Sequence, residues 1–424
     1  MKNKIDLEKI KSFKPARRAL NLEEAIKESS RCLLCEDAPC SKECPAGTDP
    51  ARFIRQIRFS NYKGAARTIR ENNVLGAVCA EICPTEKLCE KECTHRNFGE
   101  PINISGLQSF ACEYGKLHDL EPLEVRMKGP AAKIAVIGAG PAGLSCAAEL
   151  AKMGYLVTIF EKGNLPGGVT AWGIPSYRLS TETLSYSLSN LESLGIKIEF
   201  NKSIPDQNAV SELFSKGFKS IFVGAGLCED IDLDIYHDYE NALTAGDFLK
   251  NVRDKKESLK DKVVAVIGGG SVAMDVSVTA IALGAKKTYA ISLEGPLELP
   301  ATTLDLELAR EMGVIFRTNS KILNVIADKK KIVGLKGIEI EWKLPNNFKP
   351  DNAVPVNGTE FSLKADLVVQ AVGSRAGFNV CKLEGIKGVF IGGDIAKGPA
   401  TVVQAVGDGK KAAIDIDRFI REGE

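Results

Sequence analysis

The segment that most constrains this 424-residue chain runs from Lys133 to Lys162, KIAVIGAGPAGLSCAAELAKMGYLVTIFEK. Its opening apolar run, rich in Ile and Val, reads as a buried parallel strand. Gly138, Gly140 and Gly143 follow in G-x-G-x-x-G spacing, then an Ala-rich helical stretch and a second strand, Leu156–Phe160, which delivers Glu161. Each part has a physical role: Gly138 permits a tight turn, Gly140 lets the backbone approach a pyrophosphate, and Gly143 lets helix and strand pack closely. The helix N-terminus offers unpaired N–H groups to phosphate, and Glu161 can accept bonds from ribose hydroxyls. A lone glycine triplet also serves ordinary packing. The complete strand–turn–helix–strand–acid unit points to dinucleotide binding.

The length allows two to four domains, each with its own core. Hydrophobic residues make up 44% of the chain and charged residues 26%, as in ordinary globular proteins. A formal net charge of +1 gives no electrostatic ground for nucleic acid or an anionic membrane as partner. The first residues, MKNKIDLEKIKSFKPARR, contain no apolar secretory core. No apolar run approaches the roughly 20 residues of a membrane helix. A cytoplasmic protein is expected, and its 12 cysteines should be metal-bound thiolates or buried thiols rather than disulfides.

Nine of those cysteines precede residue 113. Cys32, Cys35, Cys40 and Cys44-Pro45 form one group, and Cys79, Cys83-Pro84, Cys89 and Cys93 a second. Short loops between thiols can close around an inorganic core, and Cys-Pro ends such runs in bacterial ferredoxins. Zinc knuckles and inert buried thiols are the alternatives. The density of the two groups suits two iron–sulfur clusters better. Leu22–Ser30 and Ala51–Asn72 have helical apolar spacing, so residues 1–125 are expected to form a small α-helical domain that needs its metal to fold well. Glu121–Lys128 reads as a linker.

Beyond Glu161 a Gly/Pro-rich loop carries Gly168, Trp172 and Arg178, residues that can approach a cofactor or simply decorate a loop. Ser180–Leu194 reads as a helix and Ser220–Gly226 as a core strand. The opening unit recurs at Lys262, KVVAVIGGGSVAMDVSVTAIALGAKKTYAISLE, with Gly268, Gly270 and Ala273 at the fingerprint positions and Ser271 opening the helix. Alanine serves at the third position. The chain is therefore an α/β protein with two Rossmann-like domains, the first interrupted by the second: residues 130–245, then 246–364, then 365–424. Lys331–Phe361 alternates as strands do, and Ala365–Gly373 is expected to return to the first domain. GVFIGGD then delivers Asp394, and a helix opens near Val402. That arrangement suits a flavin, with Asp394 toward the ribityl chain and the helix dipole toward the ring; Asp394 as a plain helix cap is the alternative.

The order of cysteine domain, flavin unit, inserted nicotinamide unit and returning GGD resembles the family shared by the glutamate synthase small subunit and the N-terminal half of dihydropyrimidine dehydrogenase. The resemblance covers essentially the whole chain. It is carried by the cysteine pattern, GAGPAGLS, GG-x5-IP-x2-RL (Gly167–Leu179), GGGSVAMD and GGD. PINISGLQSF, Pro101–Phe110, is similar to the dihydropyrimidine dehydrogenase branch, where a Gln completes a cluster. The resemblance implies FAD, NAD and two 4Fe-4S clusters. It assigns Cys32, Cys35, Cys40 and Gln108 to one cluster and Cys44, Cys83, Cys89 and Cys93 to the other, leaving Cys79 without a metal.

Two departures shape the expectation. The family's FMN barrel is absent, so an FMN-containing partner subunit is expected to supply it and to reduce uracil or thymine. NADPH-using relatives carry two basic residues after the second strand of the nicotinamide unit, where this chain has Leu293 and Glu294, so NADH is expected. A 2′-phosphate needs Arg or Lys there, and Lys286 and Lys287 precede the strand. No triad arises from His95, His118 and His237, and no general acid or base is required. A glutamate synthase small subunit, or a ferredoxin-linked reductase subunit, shares these modules and differs in its partner.

Overall fold

In the computed structural model, which describes residues 19–118, 120–125, 132–227, 229–255, 258–344, 348–377, 383 and 385–423, the cysteine-rich stretch is helical. Helix α1 (Leu22–Ser30) starts at Asn21, whose side chain accepts the Glu24 N–H while Glu24 returns the bond, a capping box. Short α2 (Pro39–Lys42), α3 (Pro50–Arg58), α4 (Tyr62–Asn72), α5 (Gly76–Ile82) and α6 (Ile104–Leu117) follow. The single helical stretch expected over Ala51–Asn72 is two helices. Ser60 turns left-handed at φ 60°, and Asn61 caps α4 by accepting from Gly64 N at 2.9 Å. Phe53, Ile54, Ile57, Ile69 and Leu107 form a small core that Cys89 joins. Part of the expected linker, residues 126–128, lies outside the described residues.

The chain divides into two units, one comprising residues 19–171, 178–227 and 375–423 and the other residues 172–177 and 229–374, among those described. In the first, β1 (Lys133–Ile137), α7 (Pro141–Lys152) and β2 (Leu156–Phe160) form as expected, and α8 (Thr181–Glu192) is capped by Ser180. Next come β3 (Lys197–Glu199), α9 (Gln207–Ser215) and β4 (Phe218–Val223).

The second unit opens its main sheet with β5 (Ala242–Thr244). It continues through α10 (Ala245–Lys255), β6 (Val263–Ile267), α11 (Ser271–Ala282), β7 (Lys287–Ile291), α12 (Thr303–Glu311) and β8 (Ile315–Arg317). The alternating stretch after it is an antiparallel sheet of β9 (Ser320–Asp328), β10 (Lys331–Trp342), β11 (Ala353–Pro355) and β12 (Phe361–Lys364), with β10 pairing all three others.

Strand β13 (Leu367–Gln370) corrects the expected topology. It lies between β5 and β6, parallel to both, giving the order β5-β13-β6-β7-β8. It belongs to the second sheet, not the first. All four residues are buried, and an apolar run buried on both faces fits any parallel sheet equally well. Long-range bonds decide: Asp366 Oδ2 accepts Val263 N at 2.9 Å, and Asn241 Nδ2 donates to Asp366 O at 2.9 Å. The chain therefore rejoins the first unit near residue 375, not 365, and leaves it near 229, not 246.

Back in the first unit, β14 (Val389–Ile391), α13 (Asp394–Lys397) and α14 (Val402–Glu422) complete the parallel order β14-β4-β1-β2-β3. Thr401 and Gln404 cap α14 reciprocally. This helix packs on α7 at backbone distance, since a Cβ on Gly409 would overlap Ala142 O. Ser145 Oγ donates to Val406 O at 3.0 Å, and Tyr155 Oη to Asp417 Oδ1 at 2.8 Å. Among the described residues, no helix is long and apolar enough to cross a membrane. Gly409→Ala should destabilise the chain by about 1–3 kcal/mol, read as a lower denaturation midpoint; an unchanged midpoint would contradict the backbone contact.

Candidate functional site

Strand β1 ends at Ile137, and the chain turns at Gly138 with φ 96°. A Cβ there would sit 2.7 Å from Gly224 O, and one on Gly143 would overlap Gly138 O. These two glycines serve packing. Gly140 differs: nothing lies within 4 Å of where its Cβ would be, at the point where α7 begins with Pro141. That open space at a helix start can admit a phosphate. Gly168, at φ 55°, approaches it so closely that a Cβ would lie 3.0 Å from Gly140 Cα. The preceding Gly167 N donates to Ala139 O at 2.8 Å.

Glu161 is buried, and both carboxylate oxygens already hold the loop: Oε2 accepts Ala139 N at 2.8 Å and Oε1 accepts Gly163 N at 2.7 Å. It braces the turn, and its carboxylate retains lone pairs able to accept further bonds. Arg178 is half-buried just before the Ser180 cap. At the other edge Gly393 meets Ala142, and Asp394 opens α13. Asp394 Oδ1 is buried with no hydrogen-bond partner. Burial pushes its carboxyl up to about 6, with Asp408 adding to the shift and the Ala400 backbone opposing it. A sugar-chain hydroxyl would satisfy this oxygen, so the residues fit a flavin. Val402 begins α14 behind it.

The cysteines divide differently from the expectation. Cys32, Cys35, Cys40 and Cys93 line one pocket, walled by Pro39, Ile54 and Ile102. Cys93 was expected with Cys44, Cys83 and Cys89. It reaches the first group because the turn after it folds back there: Cys35 Sγ donates to Thr94 Oγ1 at 3.5 Å, and Arg31 Nη2 to Glu100 O at 2.6 Å. Burial pushes the Cys40 thiol up to about 11, with Cys93 and Cys32 adding to it. Such mutual repulsion is what a bound cationic core relieves. Among the described residues, no three Cys, His, Asp or Glu side chains converge on one ion. Thiols spread around a cavity wall suit a cluster better than a single tetrahedral zinc.

Gln108 is likewise not where it was expected. It is absent from that pocket's lining, and its Nε2 donates to Gly76 O at 2.7 Å, at the start of α5. Helix α5 carries Cys79 and leads into Cys83. Cys44 Sγ accepts Thr48 N at 3.4 Å, and Asn73 Nδ2 donates to Thr48 Oγ1 at 3.2 Å and to Cys79 Sγ at 3.4 Å. Cys79, expected to hold no metal, is buried beside Asn73; burial pushes its thiol up to about 12, opposed by Asn73 and reinforced by Cys44. Thr48 and Asn73 had no motif to betray them.

In the second unit Gly268 turns at φ 135°, and a Cβ on it would overlap Ala371 O. Gly270 faces open space where α11 begins at Ser271, and Ala273 is fully buried. A Cβ on Gly269 would lie 3.1 Å from Glu294 Oε2, so the Glu294 carboxylate stands over this glycine turn. Its backbone is pinned by Asn319 N at 3.0 Å and Ser292 Oγ at 3.0 Å. Sequence reasoning overlooked one cation here. Arg317 lies opposite Ile291 on the neighbouring strand, but its guanidinium is stacked on Phe361 at 3.5 Å.

Residues 132–409 match the pyridine nucleotide-disulphide oxidoreductase family, and residues 9–119 match dihydropyrimidine dehydrogenase domain II, 4Fe-4S cluster. The chain is 38% identical over 411 residues to the NAD-dependent dihydropyrimidine dehydrogenase subunit PreT of Escherichia coli K12, covering 93% of this chain and 94% of that protein. It is 33% identical to the NADP(+)-dependent formate dehydrogenase subunit beta of Moorella thermoacetica, covering 91% of this chain and 60% of that one. Mycobacterium tuberculosis FprA in complex with NADPH shares the fold, with a TM-score of 0.57 at 17% identity over 69% of this chain and 86% of the other.

Cys93→Ala should abolish the same cluster signal in electron paramagnetic resonance as Cys40→Ala, while Gln108→Ala alters the other. A Cys93→Ala spectrum matching that of Cys89→Ala would overturn this grouping. Asp394 gives a pH test. Its folded pKa of about 6 exceeds the ordinary 3.8, so the ionised carboxylate burdens the folded chain above pH 6 and the burden fades as pH falls toward about 4. Flavin-free Asp394→Asn should therefore be more stable than the parent at neutral pH, with the gap closing in acid, and should bind flavin more weakly. A pH-independent gap would refute the assignment.

Proposed function

Because the chain belongs to the pyridine nucleotide-disulphide oxidoreductase family, and over nearly its whole length to that of the PreT subunits of NAD-dependent dihydropyrimidine dehydrogenase, we propose that it is the NADH-oxidising subunit of such an enzyme. It is an NAD-dependent oxidoreductase with FAD, NAD and 4Fe-4S as its cofactors and works within a hetero-oligomer. The finer reading is that two clusters pass electrons to an FMN-containing partner, which reduces uracil or thymine in the cytoplasm. One cluster is held by Cys32, Cys35, Cys40 and Cys93. The other is held by Cys44, Cys83 and Cys89, with Gln108 Oε1 as fourth donor, since its Nε2 is already used.

When bound, the nicotinamide supplies a hydride, the flavin splits the electron pair, and the clusters carry electrons singly. The chain's own residues do the rest. Gly140 and Gly270 leave room for pyrophosphate at two helix starts. Glu161 holds the first turn in shape, and Asp394 orients the sugar chain. Glu294 accepts from ribose hydroxyls and repels a 2′-phosphate, while Arg317 is occupied by Phe361. No cysteine occurs between Cys228 and Cys381, so the second unit has no dithiol to take electrons within that span.

The observation carrying this reading is the seat of the Cys44 loop. Helix α14, which starts behind Asp394, touches that loop: a Cβ on Gly407 would overlap Pro45 O. Flavin cradle and cysteine group thus share one helix.

Purified anaerobically, the chain should carry FAD and about eight irons with equal labile sulfide. It should show kcat/KM with NADH about tenfold or more above NADPH, and reduce artificial dyes but not uracil. Zinc without labile sulfide would end the cluster reading, and a preference for NADPH the Glu294 argument. Mixed with a separately purified FMN partner, it should consume NADH when pyrimidine is added; glutamate formation with another partner would favour the glutamate synthase alternative.

A further inference from the structure

Helix α14 also carries an amine with no part in the chemistry above. Lys410 Nζ donates to Ala46 O at 2.7 Å and to Asn72 O at 2.6 Å. Ala46 lies two residues after Cys44, and a Cβ on Gly47 would come 3.6 Å from Lys410 Nζ. A second amine, Lys152, has a side chain only 4% exposed; it donates to Glu71 O at 2.9 Å and to Glu149 Oε1 at 2.5 Å. Burial lowers the pKa of the Lys410 amine, with Glu149 and Cys44 opposing the shift and Lys152 adding to it.

The plain explanation is capping, because Glu71 and Asn72 are the last residues of α4 and cations favour helix C-termini. Capping accounts for Glu71 O and Asn72 O. It does not account for Ala46 O, the carbonyl two residues after Cys44. Adding an electron to a cluster adds negative charge, and a nearby cation favours that form. From Val402 to Lys410 the helix rises roughly 12 Å, so one rigid element spaces the flavin side from this cation.

Building on the two-cluster reading, we propose that Lys410 positions and tunes the cluster held by Cys44. Its two hydrogen bonds anchor the Cys44 loop to α14, and its charge raises that cluster's reduction potential, favouring electron entry from the flavin. Lys410 is a positioning residue, since it touches backbone and not the reacting atoms.

The test is a redox titration of the holo chain followed by electron paramagnetic resonance, after iron and sulfide have been counted. Lys410→Gln keeps an N–H donor without the charge, and Lys410→Arg keeps the charge. In Lys410→Gln the one-electron reduction constant of one cluster should fall about tenfold, equivalent to about 59 mV, while the other cluster stays put. Lys410→Arg should stay near the parent. Full iron with both potentials unmoved in Lys410→Gln overturns the proposal. If that variant loses iron, Lys152→Gln, which leaves the Ala46 bond intact, should lower the same potential to a smaller degree; no shift there overturns it equally. A parent chain without labile sulfide would instead sink the cluster reading, a result read before any variant is compared.

Discussion

The backbone contact between α14 and α7 is the constraint on which the rest of the first unit depends. Gly409 permits it by leaving Ala142 O unobstructed, Ser145 ties α7 to α14, and Tyr155, just past α7, reaches Asp417 on α14. Helix α7 is also the one that begins beside the open space at Gly140. One contact therefore helps set where that turn, Asp394, Val402 and the Cys44 loop stand. A side chain at Gly409 would push these apart together.

Charge follows from that packing. The first unit holds a buried, unpartnered carboxylate oxygen at Asp394, a buried amine at Lys152 and a half-buried one at Lys410. Buried ionisable groups without full compensation are costly. The Asp394 oxygen has no partner, whereas Lys152 and Lys410 each hold two hydrogen bonds.

The second unit repeats the glycine turn with a different acid. Glu161 spends its carboxylate on the backbone of its own loop, whereas Glu294 stands over the turn and is pinned through its main chain. The same fingerprint therefore yields one acid whose carboxylate braces its own loop and one whose carboxylate stands over the glycine turn.

Much of this was legible from residue spacing because it is local. Strands Lys133–Ile137 and Leu156–Phe160, the two glycine turns, the helix at Leu22–Ser30 and the need for dinucleotides all follow from periodicities within some thirty residues. Even the presence of two cysteine groups is local. What the sequence could not settle was which distant partners would meet. Cys93 is four residues from Cys89, yet a turn tied to Cys35 and Arg31 takes it to the other group. Leu367–Gln370 is apolar enough for either sheet, and Asp366 and Asn241 choose. Lys410 and Asn73 are ordinary polar residues until packing brings them beside the Cys44 loop. Spacing along the chain sets which chemistry is available; only the tertiary structure allots the ligands, because closing a loop across tens of residues depends on the summed packing of everything between its ends.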